Sequence, residues 1–254
     1  MIPKTIHYCW FGGNPLPRSA KKCINSWQKQ CPDYQIIEWN ERNFDVNCNA
    51  YCSAMYAQKK WAFLSDYARL KIIYEYGGVY LDTDVELIRS LDRVINNNAF
   101  MGLETTETVA TGLGFGAEKG CSFVKENMLE YENFADLSNP IPCPEITTKL
   151  LDKYGLDRQS NQIQRLAGIT IYPVEYFCPK HTHTGIVTIT PNTISIHHFD
   201  GSWNTDEERS KTLARWKKYR FEEVKLAPKV LLRRIIGDKS VESIKGFLRR
   251  NDYK

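Results

Sequence analysis

The chain has 254 residues, 42% of them hydrophobic and 25% charged, with a formal net charge of +4. That size suits one α/β domain with additions, or at most two small domains, with a core that needs neither disulfides nor structural metal. Nine Lys or Arg against three acids fall in residues 225–254 and leave the remainder mildly acidic, which excludes a uniformly basic nucleic-acid binder.

Taken in chain order, Thr5–Phe11 is an apolar run closed by Gly12-Gly13 and predicts a first strand. Ser19–Lys29 has helical spacing, and Tyr34–Trp39 predicts a second strand. Residues 50–76 predict helix in two pieces, stopped by Gly77-Gly78, as helices commonly stop. Val79–Leu81 is then a short buried strand that delivers Asp82-Thr83-Asp84 at its C-terminal end.

A strand is expected over Ala99–Leu103, followed by the glycine-rich Thr111–Gly116, read as a close-approach loop. Helices are expected near Phe123–Tyr131 and Glu145–Tyr154, and strands over Ile169–Pro173 and Ile186–Ile196, the second leading into His197-His198. Alternating strands and helices predict a mainly parallel sheet with helices on its faces, and ligands of such sheets bind at the C-terminal strand ends.

Two carboxylates two residues apart after a buried strand repel each other, and a divalent cation offsets that repulsion most simply. An extended backbone would aim both side chains to one side of the chain. Hard oxygen ligands favour Mn²⁺ or Mg²⁺, which also bridge diphosphate oxygens. On the preceding helix, Ser65, Asp66 and Arg69 share one arc. There Asp66 can accept from nucleotide hydroxyls while Arg69 braces the donor or its phosphates.

The segments Ser65-Asp-Tyr-Ala-Arg69 and Tyr76-Gly-Gly-Val-Tyr-Leu-Asp-Thr-Asp84 resemble the signature of the family 32 DXD sugar-binding glycosyltransferases. That family includes yeast initiating mannosyltransferases and bacterial capsule and lipopolysaccharide transferases, and it is related to the large clostridial glucosylating toxins. Ile2–Gly13 and His197-His-Phe-Asp-Gly-Ser-Trp203 are similar to its first strand and its late motif.

The resemblance implies a GT-A fold over residues 1–223, an activity that retains anomeric configuration, and a Mn²⁺ or Mg²⁺ cofactor. It implies a nucleotide-sugar donor, with UDP favoured over GDP because Trp10 occupies the base-stacking position. Donor contacts are carried over to Ser65, Asp66, Arg69, Tyr80, Asp82, Ser202 and Trp203, and metal ligation to Asp82 and Asp84. No carboxylate stands out as a nucleophile, which agrees with front-face attack by the acceptor hydroxyl. Alternation sends His197 and His198 to opposite faces, so at most one of them points at the ion; His198 is the expected one.

Residues 224–254 place Val241, Ile244, Phe247 and Leu248 at helical spacing beside Lys245, Arg249 and Arg250. This predicts a basic amphipathic tail, either lying on an anionic membrane surface or packing on the catalytic domain. A glycan acceptor carried on a lipid fits the first alternative. The eight cysteines form no C-x-x-C pair, so reduced thiols are expected. With no secretory leader or spanning run recognisable, the expected location is the cytoplasm or the inner face of the plasma membrane. A phosphatase of the haloacid dehalogenase type also places D-x-D after a strand, but it leaves the upstream block unexplained. A non-catalytic sugar-nucleotide or membrane-binding protein is the third alternative.

Overall fold

The computed structural model describes residues 1–134, 136–201, 207 and 209–219. The chain divides into two compact units, Met1–Lys180 with Val187–Trp203, and His181–Ile186 with Asn204–Lys254. In the second unit residues 209–219 are helical, and the Trp216 indole donates to the Thr182 carbonyl at 2.9 Å. The tail expected from residue 224, together with Ser202 and Trp203, lies outside the described residues.

The first unit is a mixed α/β structure. It runs β1 (Thr5–Cys9), α1 (Arg18–Gln30), β2 (Gln35–Trp39), α2 (Ala50–Ala57), α3 (Trp61–Tyr76), β3 (Gly78–Tyr80) and β4 (Val85–Leu87). It continues through β5 (Ala99–Leu103), β6 (Val109–Ala110), β7 (Phe115–Ala117), α4 (Ser122–Glu132) and α5 (Cys143–Asp152). β8 (Gln164–Leu166), β9 (Ile169–Tyr172), α6 (Val174–Phe177) and β10 (Ser195–His197) complete it.

The main sheet has the order β2-β1-β3-β7-β5-β9-β8, with β6 on β5. β1 is parallel to β2 and β3, and β5 to β9, but β7 lies antiparallel between β3 and β5. The sheet is therefore mixed rather than mainly parallel. Part of the glycine-rich stretch read as a loop is this central strand. Its Gly116 is needed for packing, since a Cβ there would come within 2.7 Å of Phe100 and 2.9 Å of the Gly78 carbonyl. Because β7 runs against its neighbours, its N-terminal end shares one sheet edge with the C-terminal ends of β1, β3, β5 and β9.

Of the run expected as a strand over Ile186–Ile196, only its end pairs regularly, as β10 with β4. Pro191 and a turn in which the Thr193 N–H donates to the Thr190 carbonyl at 3.2 Å break the rest. α1 anchors β4 from one side: the Trp27 indole donates to the Val85 carbonyl at 2.7 Å, and the Leu87 N–H to the Ser26 hydroxyl at 2.9 Å.

Gly77 and Gly78 end α3 at φ of 68° and 106°, angles that a residue with a Cβ adopts at a cost. The Cβ of any residue at 78 would also lie 2.8 Å from the Thr5 carbonyl and 2.9 Å from His7 Nε2. Buried His7 ties the region together. Its Nε2 sits 3.0 Å from the Gly77 carbonyl, and its Nδ1 accepts the Trp39 indole N–H at 3.0 Å. Burial brings its pKa down to about 4, so the ring is neutral. All eight cysteines are free. No helix among the described residues is long and apolar enough to cross a membrane.

Candidate active site

Past β3 the chain does not stay extended. The Val85 N–H donates to the Asp82 carbonyl at 3.0 Å and closes a turn over Asp82–Val85. The two carboxylates converge even so, and they do so with His197: one ligand atom from each of the three lies within 4.8 Å of the others. The turn, rather than strand alternation, brings the acids together.

The position of His197 follows from register. β10 pairs with β4 so that His197 stands opposite Val85 and Ile196 opposite Glu86. Ser195 and His197 therefore share the buried face with Val85 and Leu87, while His198 is on Glu86's face, its Nε2 2.8 Å from Glu86 Oε2. The expectation for His198 is thus corrected to His197. Alternation did separate the two rings, but β4, which decides their faces, is too short to read from sequence.

Asp84 lies 3.3 Å from His197 Nε2 and accepts the Asp200 N–H at 3.0 Å. The chain makes that second contact by turning sharply at Phe199, whose φ is 56°, a strained value for a non-glycine residue. Burial pushes the Asp84 carboxyl up, but His197 and the hydrogen bonds outweigh it and hold the pKa at about 2. Burial lowers His197, yet the Asp84 carboxylate lifts it well above the usual imidazole value. His197 Nδ1 is buried without a hydrogen-bond partner. Two carboxylates and one imidazole this close together fit a divalent cation in both charge and donor type.

Arg69 braces the first acid. Its Nη2 lies 3.1 Å from Asp66 Oδ1 and 3.1 Å from Asp82 Oδ1. Nε donates to the Ser65 carbonyl at 3.0 Å, Nη2 to the Ser65 hydroxyl at 3.1 Å and Nη1 to the Thr111 hydroxyl at 3.4 Å. The guanidinium also stands 4.8 Å from the centre of the Tyr80 ring, and the Tyr80 hydroxyl donates to Asp82 Oδ1 at 3.0 Å.

These contacts give Ser65, Arg69 and Tyr80 a positioning part beside the donor contacts expected of them. Arg69 is 3% and Tyr80 1% exposed, and the polar groups of all three are committed to protein partners. They position Asp82. Asp66 is also buried; burial raises its pKa to about 6, with Arg69 pulling it down and Asp82 pushing it up. The glycine-rich stretch contributes Gly112, whose carbonyl accepts the Asp82 N–H at 2.9 Å. A Cβ on Gly112 would fall 2.0 Å from Asp82 Oδ2, so only glycine lets the acid take this position.

Trp10 follows β1 at the same sheet edge, half-buried, with its indole N–H donating to the Asn14 carbonyl at 2.6 Å. Glu104 was missed in the sequence. It follows the wholly buried β5, and its pKa is raised by burial first, with His197 lowering it and Asp82 and Asp84 raising it further. Its carboxylate belongs to the same electrostatic centre. The signal was legible: an acid directly after a continuous apolar strand, the pattern that singles out Asp82.

Residues 17–101 match the family described as glycosyltransferase sugar-binding region containing DXD motif. The chain is similar to inositol phosphoceramide mannosyltransferase 1 of Schizosaccharomyces pombe, 30% identical over 119 residues, which cover 42% of this chain and 35% of that protein. It is 30% identical over 132 residues to the human alpha-1,4-N-acetylglucosaminyltransferase, covering 47% of this chain and 37% of that one. The chain thus spans little more than a third of the curated relatives it matches. Among solved structures it is similar to the PaToxG glycosyltransferase (TM-score 0.46, 16% identity, 60% of this chain and 68% of that one). It is also similar to a galactosyltransferase solved with donor and acceptor sugar analogues (TM-score 0.42, 14% identity, 82% and 94%).

Proposed function

We propose that the chain is a metal-dependent glycosyltransferase of the GT-A type, moving a sugar from a nucleoside diphosphate to a glycan acceptor with retention of configuration. The convergence of Asp82, Asp84 and His197 carries this reading, because it lies at the C-terminal sheet edge inside and beside the DXD region. Those three residues would hold the ion, and the chemistry supplied there is neutralisation of the charge that builds on the departing diphosphate. A mixed oxygen and nitrogen donor set favours Mn²⁺ over Mg²⁺.

Each remaining residue has a definable part. Trp10 offers an indole face to the base, which supports UDP as the nucleotide. Asp66, held by Arg69, is the acceptor offered to a donor hydroxyl. Arg69, Tyr80 and Gly112 fix Asp82. The bond from the anomeric carbon to the diphosphate oxygen breaks as the acceptor oxygen bonds to that carbon on the same face, and the leaving diphosphate takes the acceptor proton. Positioning and a water-poor site supply the rate.

A panel of nucleotide sugars incubated with Mn²⁺ tests this reading. The expected product is free sugar plus intact nucleoside diphosphate, with release abolished by EDTA. His197→Ala should reduce release by about a hundredfold, and His198→Ala by far less. Phosphate released from monoesters instead would favour a phosphatase, and no release at all would leave only a binding protein. A lipid-borne acceptor in bacterial surface polysaccharide synthesis, approached through a membrane-bound tail, is the finer reading; the sequence of residues 224–254 alone supports it. Sedimentation with anionic liposomes should then be lost when the chain is truncated after Lys225, and retention by the truncated chain would remove the membrane role.

A further inference from the structure

We infer that the open cleft of about 600 Å³ at the C-terminal ends of β5 and β9 seats the sugar of the acceptor. The inference rests on the proposed transfer reaction and names the side from which its second substrate comes.

The chemistry of the walls selects the occupant. Apolar surface comes from Leu103, Val174 and the exposed Ile163, and the half-buried Tyr176 ring is held against Tyr172 at 4.8 Å between centroids. The side-chain amides of Gln159, Asn161 and Gln162, all exposed, share the lining, Gln162 Nε2 donating to Asn161 Oδ1 at 3.0 Å. Glu175 is the sole charged residue of the lining, and its carboxylate already accepts the Asn192 amide at 2.9 Å. With no Lys or Arg in the lining, the cleft is ill suited to a diphosphate. Neutral donors and acceptors over an apolar floor match the hydroxyl rim and C–H face of a pyranose.

The cleft also lies where an acceptor must wait. Leu103 and Thr106 line it at the C-terminal end of β5, on the same sheet edge that carries Asp82 after β3. Just past the lining residue Asn192, the Ile194 N–H donates to the Tyr176 carbonyl at 2.7 Å, and the Ser195 hydroxyl to the Phe177 carbonyl at 3.2 Å. That segment runs directly into His197. The lining residue Asn192 thus leads along the chain to His197 of the cluster, and the cleft opens at the sheet edge where that cluster lies.

Saturation-transfer NMR on the full chain, with methyl glycosides of glucose, galactose, mannose and N-acetylglucosamine, tests the assignment. At least one glycoside should receive saturation. Its dissociation constant should rise about tenfold in the Asn161→Ala/Gln162→Ala double variant, as loss of one or two hydrogen bonds predicts, and binding should vanish when Thr106→Trp fills the cleft. Residues 106, 161 and 162 are exposed, so folding is not at stake. Transfer of equal strength in both variants, or to none of the glycosides, overturns the inference. Nucleotide-sugar hydrolysis by the unaltered chain reads the other premise separately: glycoside binding weakened in the double variant and lost in Thr106→Trp, with no hydrolysis of any donor, would sink the transferase reading and uphold a sugar-binding cleft.

Discussion

Asp84→Asn is expected to lower sugar transfer by at least about a thousandfold, a loss of roughly 4 kcal/mol of transition-state stabilisation. Asp84 is buried, holds its proton only near pH 2, and lies against both His197 and the Asp200 N–H. It is thus fully ionised at any working pH, and its side chain is more enclosed by protein than that of Asp82, 12% against 24% exposed. Asparagine keeps the shape and the acceptor for Asp200 while removing the charge that a divalent ion requires. Far-UV circular dichroism should stay unchanged, while Mn²⁺ affinity, followed by electron paramagnetic resonance, should fall with turnover. Normal turnover at saturating Mn²⁺ would refute the role of Asp84. Loss of turnover with unchanged Mn²⁺ affinity would place the ion elsewhere.

What the sequence shows of this site depends on how local each feature is. Helix α3, its glycine stop, and Asp82 at the end of a buried strand are set by neighbours within one short stretch, so spacing reveals them. The partner of Asp84 is not local. It lies more than a hundred residues downstream, and its identity depends on a three-residue strand whose register no periodicity encodes. Direction in the sheet was hidden for a similar reason: glycines suggested a loop over Thr111–Gly116, but its last two residues belong to β7, where Gly116 packs tightly against Phe100 and β3. Asp66 and Arg69 were found as a pair, but an i,i+3 spacing cannot tell an exposed pair from a buried one. Burial and the third member, Asp82, change its meaning.

That difference sets the scale for Arg69→Ala, expected to destabilise the fold by about 3–5 kcal/mol. An exposed pair at the same spacing would contribute only a few tenths. Here the side chains of Arg69 and Asp66 are 4% and 11% exposed, and Asp82 shares the same nitrogen. Removing the guanidinium leaves two carboxylates facing each other with little water, and also forfeits the stacking on Tyr80. A loss of this size is a large part of the 5–15 kcal/mol that holds a typical domain together. Urea denaturation measures it directly. If the cost comes from uncompensated charge, Asp66→Asn added to Arg69→Ala should restore part of it, since one of the stranded acids is then neutral. A double variant no more stable than Arg69→Ala would instead assign the loss to packing around the guanidinium, and a single-variant cost below about 1 kcal/mol would make the network an ordinary surface pair.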